Sequence, residues 1–203
     1  MHTKQRNRLL NPEDMMTEFK TKLKMTVLFF VILISAWMWP GTISQDDPVK
    51  AQSKIMNQWK DRIQMSFPDL TDKSCELIWN YGLQYQINPT LILCWIEVES
   101  GFDSLAISSK GAVGWLQLKL STARQYDSTL SRRDLYLTDV NVEIALKHMN
   151  YLMNRYDDNE ALAFTAYNMG EGRLKQILDS GKHPRLQYYH KIKNLLEETE
   201  GQV

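Results

Sequence analysis

The chain has 203 residues, with 24 basic and 24 acidic side chains and 43% hydrophobic residues. That length suits one ordinary domain plus an extension, and the apolar content is enough to bury a core. Zero net charge excludes an electrostatic nucleic-acid binder, which would carry a basic excess. The four histidines (His2, His148, His183, His190) lack the paired spacing of a metal site, and the sequence calls for no metal and no cofactor. Charge is uneven along the chain. Up to Ser44 there are six basic and three acidic side chains, so the remainder carries a net −3. Attraction of that remainder as a whole to an acidic polymer is therefore not a basis for binding, and any substrate contact must come from a shaped groove.

Residues 1–24 form a basic N-terminal extension. Met25 to Trp39 is an apolar run preceded by Lys22 and Lys24, the pattern of an export signal. At about 1.5 Å per residue it spans little more than ~20 Å, short for a full crossing. Trp37 and Trp39 suit a membrane interface. Two readings of segment 25–40 stand: a cleaved signal peptide, with Thr42-Ile43-Ser44 as a small-x-small cleavage site and Met15 or Met16 as the start, or an uncleaved anchor. Pro40-Gly41 and Gln45-Asp46-Asp47-Pro48 separate it from the helices of the folded domain, which argues against a buried core helix. No Cys lies near its end, which excludes a lipoprotein anchor. Either reading places the domain outside the cytoplasm, in the periplasm or cell envelope. Residues 41–50 read as a linker and 51–203 as the folded domain.

Asp46 to Ser66 reads as an amphipathic helix, with Ile55, Trp59 and Ile63 at four-residue spacing. Thr71 is a candidate N-cap for a helix through Cys75, Ile78, Trp79 and Leu83, with Gly82 marking close packing. Asn88-Pro89 then opens a helix through Leu91-Ile92-Leu93-Cys94-Trp95-Ile96, which is apolar on every side and so reads as buried. Gly101 closes it. Cys75 and Cys94 fall in adjacent helices, and two buried thiols are favoured over a disulfide. Phe102 to Gln117 is a Ser- and Gly-rich loop, with any short strand around Val113 to Leu118. Ser121-Thr122 is expected to cap a short helix into Tyr126, and Ser131 to Thr138 to be a polar surface connection. Asp139 is expected to cap a long helix in which Val140, Ile144 and His148 are spaced by four; His148 reads as a packed or half-exposed helix residue. Asp157-Asp158-Asn159 breaks it. Glu160 to Tyr167, a short helix through Leu174 to Leu178, and a last helix after Pro184 with Tyr188, Ile192 and Leu195 complete a mainly α domain.

Glu99 sits in the last turn of the apolar helix, near the negative end of its dipole. Apolar neighbours and the dipole both disfavour the carboxylate and raise its pKa. A carboxyl group that stays protonated near neutral pH is what a general acid requires. Glycosidic cleavage needs such a proton, together with either a second carboxylate or a nucleophile supplied by the substrate's own N-acetyl group. Glu97, two residues away, points about 200° around the helix. Asp103 lies in the loop. One acid without a partner suits the substrate-assisted route.

The order Glu99-Ser100, Phe102, Ala106, Ser108, Gly111-Ala112, Gly114, Gln117 and then Ala166-Tyr167-Asn168 with Gly170 resembles the catalytic domain of the soluble lytic transglycosylases. These belong to the lysozyme-like, goose-type superfamily acting on bacterial peptidoglycan. The resemblance implies a lysozyme-like helical fold with at most a short β element. It also implies cleavage between N-acetylmuramic acid and N-acetylglucosamine with a 1,6-anhydromuramoyl product and no consumption of water. Carried over by position, Glu99 is the acid and then the base. Ser108 matches a serine that hydrogen-bonds near the carboxyl or the acetamido group. Gln117 matches a polar contact at the cleavage site, and Tyr167 and Asn168 match a pair that closes the groove and orients substrate and Glu99.

The chain departs from the family pattern in places. It has Gly114-Trp115-Leu116-Gln117 for Gly-Leu-Met-Gln, Leu120 for a proline, and Lys119 for a methionine. Lys119 is thereby a candidate charge contact to muramyl peptide. Asn141-Val142 opens the middle helix as in the family, followed by Ala145 for glycine, His148 for tyrosine and Met149 for leucine. The expected partner is the peptidoglycan glycan strand, with inner- or outer-membrane association in the reading that keeps residues 25–40 as an anchor. Service to a secretion, pilus or phage machine is left open. The rivals are a lysozyme-like muramidase, with water as acceptor, and a non-catalytic peptidoglycan-binding or assembly protein.

Overall fold

The computed structural model describes residues 48–201. The basic extension, the 25–40 segment and most of the linker lie outside the described residues. The chain divides into two units, Met1–Ala51 and Gln52–Val203, and the architecture is that of the second. It is mainly α, with no strand among the described residues and only isolated bridges from Val113 to Ile107 and to Leu118. No helix among the described residues is long and apolar enough to cross a membrane.

Helix α1 (Pro48–Ser66) meets the core through its second half. Trp59 and Ile63 are buried, whereas Ile55, one turn earlier, is 56% exposed. The Trp59 indole donates to Thr90 Oγ1 at 3.0 Å, which satisfies two buried polar groups at once. Helix α2 (Asp72–Tyr85) begins as expected: Thr71 Oγ1 accepts from the Ser74 amide at 3.2 Å. A Cβ at Gly82 would lie 2.6 Å from Pro89 Cγ and 2.9 Å from the Ile87 carbonyl oxygen. The glycine is therefore what lets α2 turn tightly into the next helix.

That next helix, α3 (Pro89–Ser100), is the centre of the unit. Asn88 caps it by accepting from the Thr90 amide at 2.9 Å, Pro89 takes the first turn, and Gly101 ends it in the left-handed region at φ 58°. Residues Thr90 through Ile96 are all buried. Each fully buried Leu or Ile contributes about 1.5–3 kcal/mol, so a helix with no polar face is stable only where helices surround it. Cys75 and Cys94 are buried free thiols.

The segment after the loop departs from expectation in three ways. Helix α4 (Leu120–Ala123) starts after Lys119, with no side-chain cap from Ser121 or Thr122. The polar stretch 131–138 is not merely a surface connection. It contains a 3-10 turn, Asp134–Tyr136, that buries Leu135 completely. Helix α5 (Thr138–Arg155) begins one residue before Asp139, which lies in its first turn and does not cap it. The buried face of α5 is Asn141, Val142, Ile144, Ala145, Leu146, Met149 and Leu152. Asp157 and Asp158 turn the chain with φ of 53° and 59°, and Asn159 caps α6 (Glu160–Met169) by accepting from the Leu162 amide. Gly170 (φ 89°) separates α6 from α7 (Glu171–Asp179). Helix α8 (Gln187–Gly201) returns along α3 and α6.

Candidate active site

A cleft of about 270 Å³ opens at the C-terminal end of α3. Glu99 lies at its floor. The chain from Ser108 to Thr122 forms one wall, contributing Ser108, Gln117 and Lys119, and α5 and α6 form the other, contributing His148, Tyr167 and Asn168. All six residues singled out in the sequence therefore meet in one place, together with Lys110, Thr122 and His148, which were not expected there.

Burial pushes the Glu99 carboxyl up from the ordinary glutamate range, against smaller opposing effects from the Tyr188 and Trp95 hydrogen bonds and the Lys191 charge. The Tyr188 hydroxyl donates to Glu99 Oε1 at 2.5 Å and accepts from the Trp95 indole at 2.8 Å. Tyr188 does not line the cleft. It reaches Glu99 from behind, from α8, and fixes one carboxyl oxygen. Burial, then the nearby Glu99, holds the Tyr188 hydroxyl well above the usual phenol range, so it stays a donor. In the sequence Tyr188 was only an apolar residue of a terminal helix. The signal it offered was a phenol in register with Ile192, whose hydroxyl must find a partner if buried.

Tyr167 also differs in detail from its expected role. Its hydroxyl donates to the Leu116 carbonyl at 2.7 Å, and its ring packs edge-on against Trp95 with centroids 4.6 Å apart. It lines the cleft as a fixed wall, with its hydroxyl turned to the loop. Ser108 Oγ accepts from the Ala112 amide at 3.0 Å within a tight turn, and no bond joins it to Glu99. Its own proton remains available to a ligand. Gln117, at φ 47°, donates through Nε2 to the carbonyls of Gly114 (2.9 Å) and Ala106 (3.3 Å), which leaves its Oε1 as the acceptor. His148 hydrogen-bonds through Nδ1 with the Tyr126 hydroxyl at 2.9 Å, and burial lowers its pKa, so the imidazole is neutral.

The loop wall is held by buried polar contacts. Asn141 Oδ1 accepts from the Leu116 amide at 2.9 Å, and its Nδ2 donates to the carbonyls of Val113 (2.9 Å) and Leu135 (2.8 Å). A Cβ at Gly114 (φ 76°) would fall 2.5 Å from that Nδ2 and 2.6 Å from the Leu135 carbonyl oxygen. Ser100 Oγ donates to the Trp115 carbonyl at 2.8 Å. Trp115, which replaces a leucine of the family pattern, donates from its indole to the Phe102 carbonyl at 2.8 Å and packs edge-on against Phe102.

The family model described as the Transglycosylase SLT domain matches residues 76–189, a span that contains every residue of this cleft and Tyr188. The chain belongs to the transglycosylase SLT domain family. Among curated relatives of this SLT domain chain, the membrane-bound lytic murein transglycosylase C of Photorhabdus laumondii is 27% identical over 77% of this chain and 50% of its own length. The membrane-bound lytic murein transglycosylase D of Escherichia coli is 36% identical over 42% of this chain and 19% of its own. The chain thus spans about half the length of the first of these relatives and less of the second. Among solved structures, the 70 kDa soluble lytic transglycosylase of Escherichia coli superposes with a TM-score of 0.50 at 23% identity, over 75% of this chain and 25% of that one. That likeness establishes the shared fold.

Proposed function

We propose that this SLT domain chain is a peptidoglycan lytic transglycosylase, with Glu99 as the single general acid and base. The observation that carries the reading is that Glu99 is the one carboxyl group lining the cleft among the described residues. Glu97 is exposed on the other side of α3, and Asp103 Oδ1 is engaged with the Leu105 amide at 2.8 Å. A glycosidase with two catalytic carboxyls needs the second about 5–9.5 Å from the first, across the bond to be cleaved. Among the described residues that line the cleft, no second carboxyl faces Glu99.

The steps follow from one acid. Glu99 donates its proton to the glycosidic oxygen between C1 of N-acetylmuramic acid and O4 of N-acetylglucosamine. As that bond breaks, the acetamido oxygen of the muramic sugar bonds to C1, giving an oxazolinium ion. The Glu99 carboxylate then takes the proton of the sugar's own 6-hydroxyl. The 6-oxygen bonds to C1, the acetamido group is released, and Glu99 is again protonated. The products are a 1,6-anhydromuramoyl end and a free 4-hydroxyl. In this reading the Ser108 hydroxyl, Gln117 Oε1 and the exposed Asn168 amide hold the sugar's polar groups, and the Tyr167 ring bounds its apolar face. A cell-envelope location is supported by the words "membrane-bound" in the names of the relatives.

The deciding experiment is a digest of purified sacculi with the full chain, followed by mass analysis of the released muropeptides. Products lighter by one water than reducing muropeptides are expected. Ordinary reducing ends would instead establish the muramidase, and sacculus binding without release would establish the binding protein.

Tyr188 provides a second prediction. Tyr188→Phe removes a hydrogen bond that lowers the Glu99 pKa and fixes one of its oxygens. The basic limb of the kcat/KM profile is expected to move to higher pH. Loss of orientation is expected to lower kcat by about 10- to 100-fold, with KM little changed. A kcat loss with an unmoved pH profile would mean that Tyr188 acts only through packing.

A further inference from the structure

We infer that Lys110 and Lys119 form a cationic edge to the cleft that reads the carboxylate carried on the C3 side chain of the muramic sugar. This makes the site selective for acid-bearing glycans over neutral ones, and it rests on the glycan-cleaving reading above.

Three passes of chain lie side by side on the loop wall. Ile107 and Leu118 both bridge to Val113, Leu118 through a pair of backbone bonds of 3.0 and 3.1 Å. Lys110 stands at the tip of the turn between the first two passes. That turn is closed by the Gly111 amide on the Ser108 carbonyl and by the Ser108 amide on the Ala112 carbonyl, each at 2.9 Å. Lys119 leaves the end of the third pass, directly after Leu118. The same small platform thus sets both lysines on the lining of one cleft. Both lysines are exposed, and neither makes an ion pair among the described residues.

Nothing else in the cleft balances them. Its one carboxyl, Glu99, is at the floor and is biased by burial toward the neutral acid. The opposite wall is uncharged, formed by a neutral His148, Tyr167 and Asn168. This local positive charge stands in the part of the chain that carries a net −3. An acidic substituent of a bound sugar would find its opposite charge on the loop wall, where both lysines of the cleft stand. The acid has two sources: the lactyl carboxylate of a bare muramic residue, and the carboxylates of the attached peptide.

The test is the binding of three glycans to full-length Glu99→Gln protein, with and without the added pair Lys110→Gln and Lys119→Gln. The glycans are peptide-bearing strands, amidase-stripped strands that keep the lactyl acid, and an N-acetylglucosamine hexamer with no acid. Each exposed charge contact is worth a few-fold, so the double change is expected to weaken binding of acid-bearing strands about tenfold. The hexamer is expected to bind unchanged. Salt from about 0.05 to about 0.5 M should weaken only the acid-bearing strands, and only with the lysines present. Loss confined to peptide-bearing strands would place the recognised acid in the peptide. Loss confined to stripped strands would place it on the lactyl group, whose carboxyl is an amide in the peptide-bearing strands, and loss on both kinds would mean that either acid is read. An equal loss on the hexamer, or no loss on any glycan, would overturn the inference. Because every protein compared lacks the Glu99 carboxyl and the readout is binding, selectivity is read even if the sacculus digest shows no anhydro product. Failure to bind any glycan would overturn both readings.

Discussion

Glu99→Gln is expected to lower kcat by at least about 10²–10⁴-fold, the contribution general acid–base catalysis makes, while sacculus binding is kept. Glutamine has the same shape, and its Oε1 still accepts from the Tyr188 hydroxyl, so the hydrogen-bonded chain from Trp95 through Tyr188 stays intact. What is lost is the exchangeable proton. Both halves of the proposed reaction use the same carboxyl, once as acid and once as base, and no other carboxyl of the cleft can stand in. Release of soluble muropeptides at a given enzyme concentration measures the loss. A fall of less than about tenfold would mean that the proton comes from elsewhere.

The same substitution is expected to stabilise the fold near neutral pH. Burial raises the Glu99 pKa in the folded state above its unfolded value. For an acid shifted in that direction, the stability linked to its protonated form is complete below the unfolded pKa, at about pH 4, and is lost as pH rises through the folded pKa. Glutamine is neutral throughout. The Tm of Glu99→Gln should therefore exceed that of the wild-type chain by about a few degrees at pH 8, with the difference closing toward pH 4. A difference that did not narrow on acidification would show that packing, and not the charge of Glu99, sets it.

How much of this was legible in the sequence varied with the range of the interaction. The ends of α3 were legible because their chemistry is local: Asn88, Pro89 and Gly101 act within a few residues of where they stand. The start of α5 was misplaced because Asp139 looks like a cap, yet in the first turn it only meets the dipole. Leu135 was lost inside a polar stretch, since the short run Leu135-Tyr136-Leu137 makes no period and only Leu135 of its two leucines is buried. The meeting of Ser108, Lys119, Gln117, Tyr167 and Asn168 with Glu99 came from the family pattern; no local rule brings α6 against the loop. The resemblance did not give the bonds themselves. Tyr167 turns its hydroxyl to Leu116, and the partner of Glu99 is Tyr188, 89 residues away. Asn141 lies in register with Ala145 and Met149 on the buried face of α5. A polar residue there is a visible signal, but what it holds depends on tertiary contacts.

Asn141 carries the largest expected effect on stability. Its amide makes three bonds in a site with no exposure, and so leaves no buried side-chain polar group there without a partner. Asn141→Leu keeps the volume but leaves the Leu116 amide and the Leu135 carbonyl without these partners, while the Val113 carbonyl keeps its bond from the Leu118 amide. Each buried group left without a partner costs about 1–3 kcal/mol, so a loss of roughly 3–5 kcal/mol is expected, against the ~5–15 kcal/mol that holds a domain of this kind together. Denaturant unfolding measures it, as a lower midpoint at unchanged slope. The effect should also reach the chemistry. Leu116 is held from one side by Asn141 and from the other by Tyr167, and the next residue is Gln117, whose left-handed backbone aims its amide into the cleft. Release of that turn should lower kcat for sacculi well below the unfolding temperature, because a displacement of about 1 Å at a positioning group costs on the order of 10²-fold. Asn141→Asp separates the two effects. It keeps the acceptor for the Leu116 amide and, when protonated, donates to one carbonyl. It should therefore recover activity and stability on acidification, whereas Asn141→Leu should not. Equal behaviour of the two variants across pH would mean that volume at position 141, and not its hydrogen bonds, shapes the loop wall.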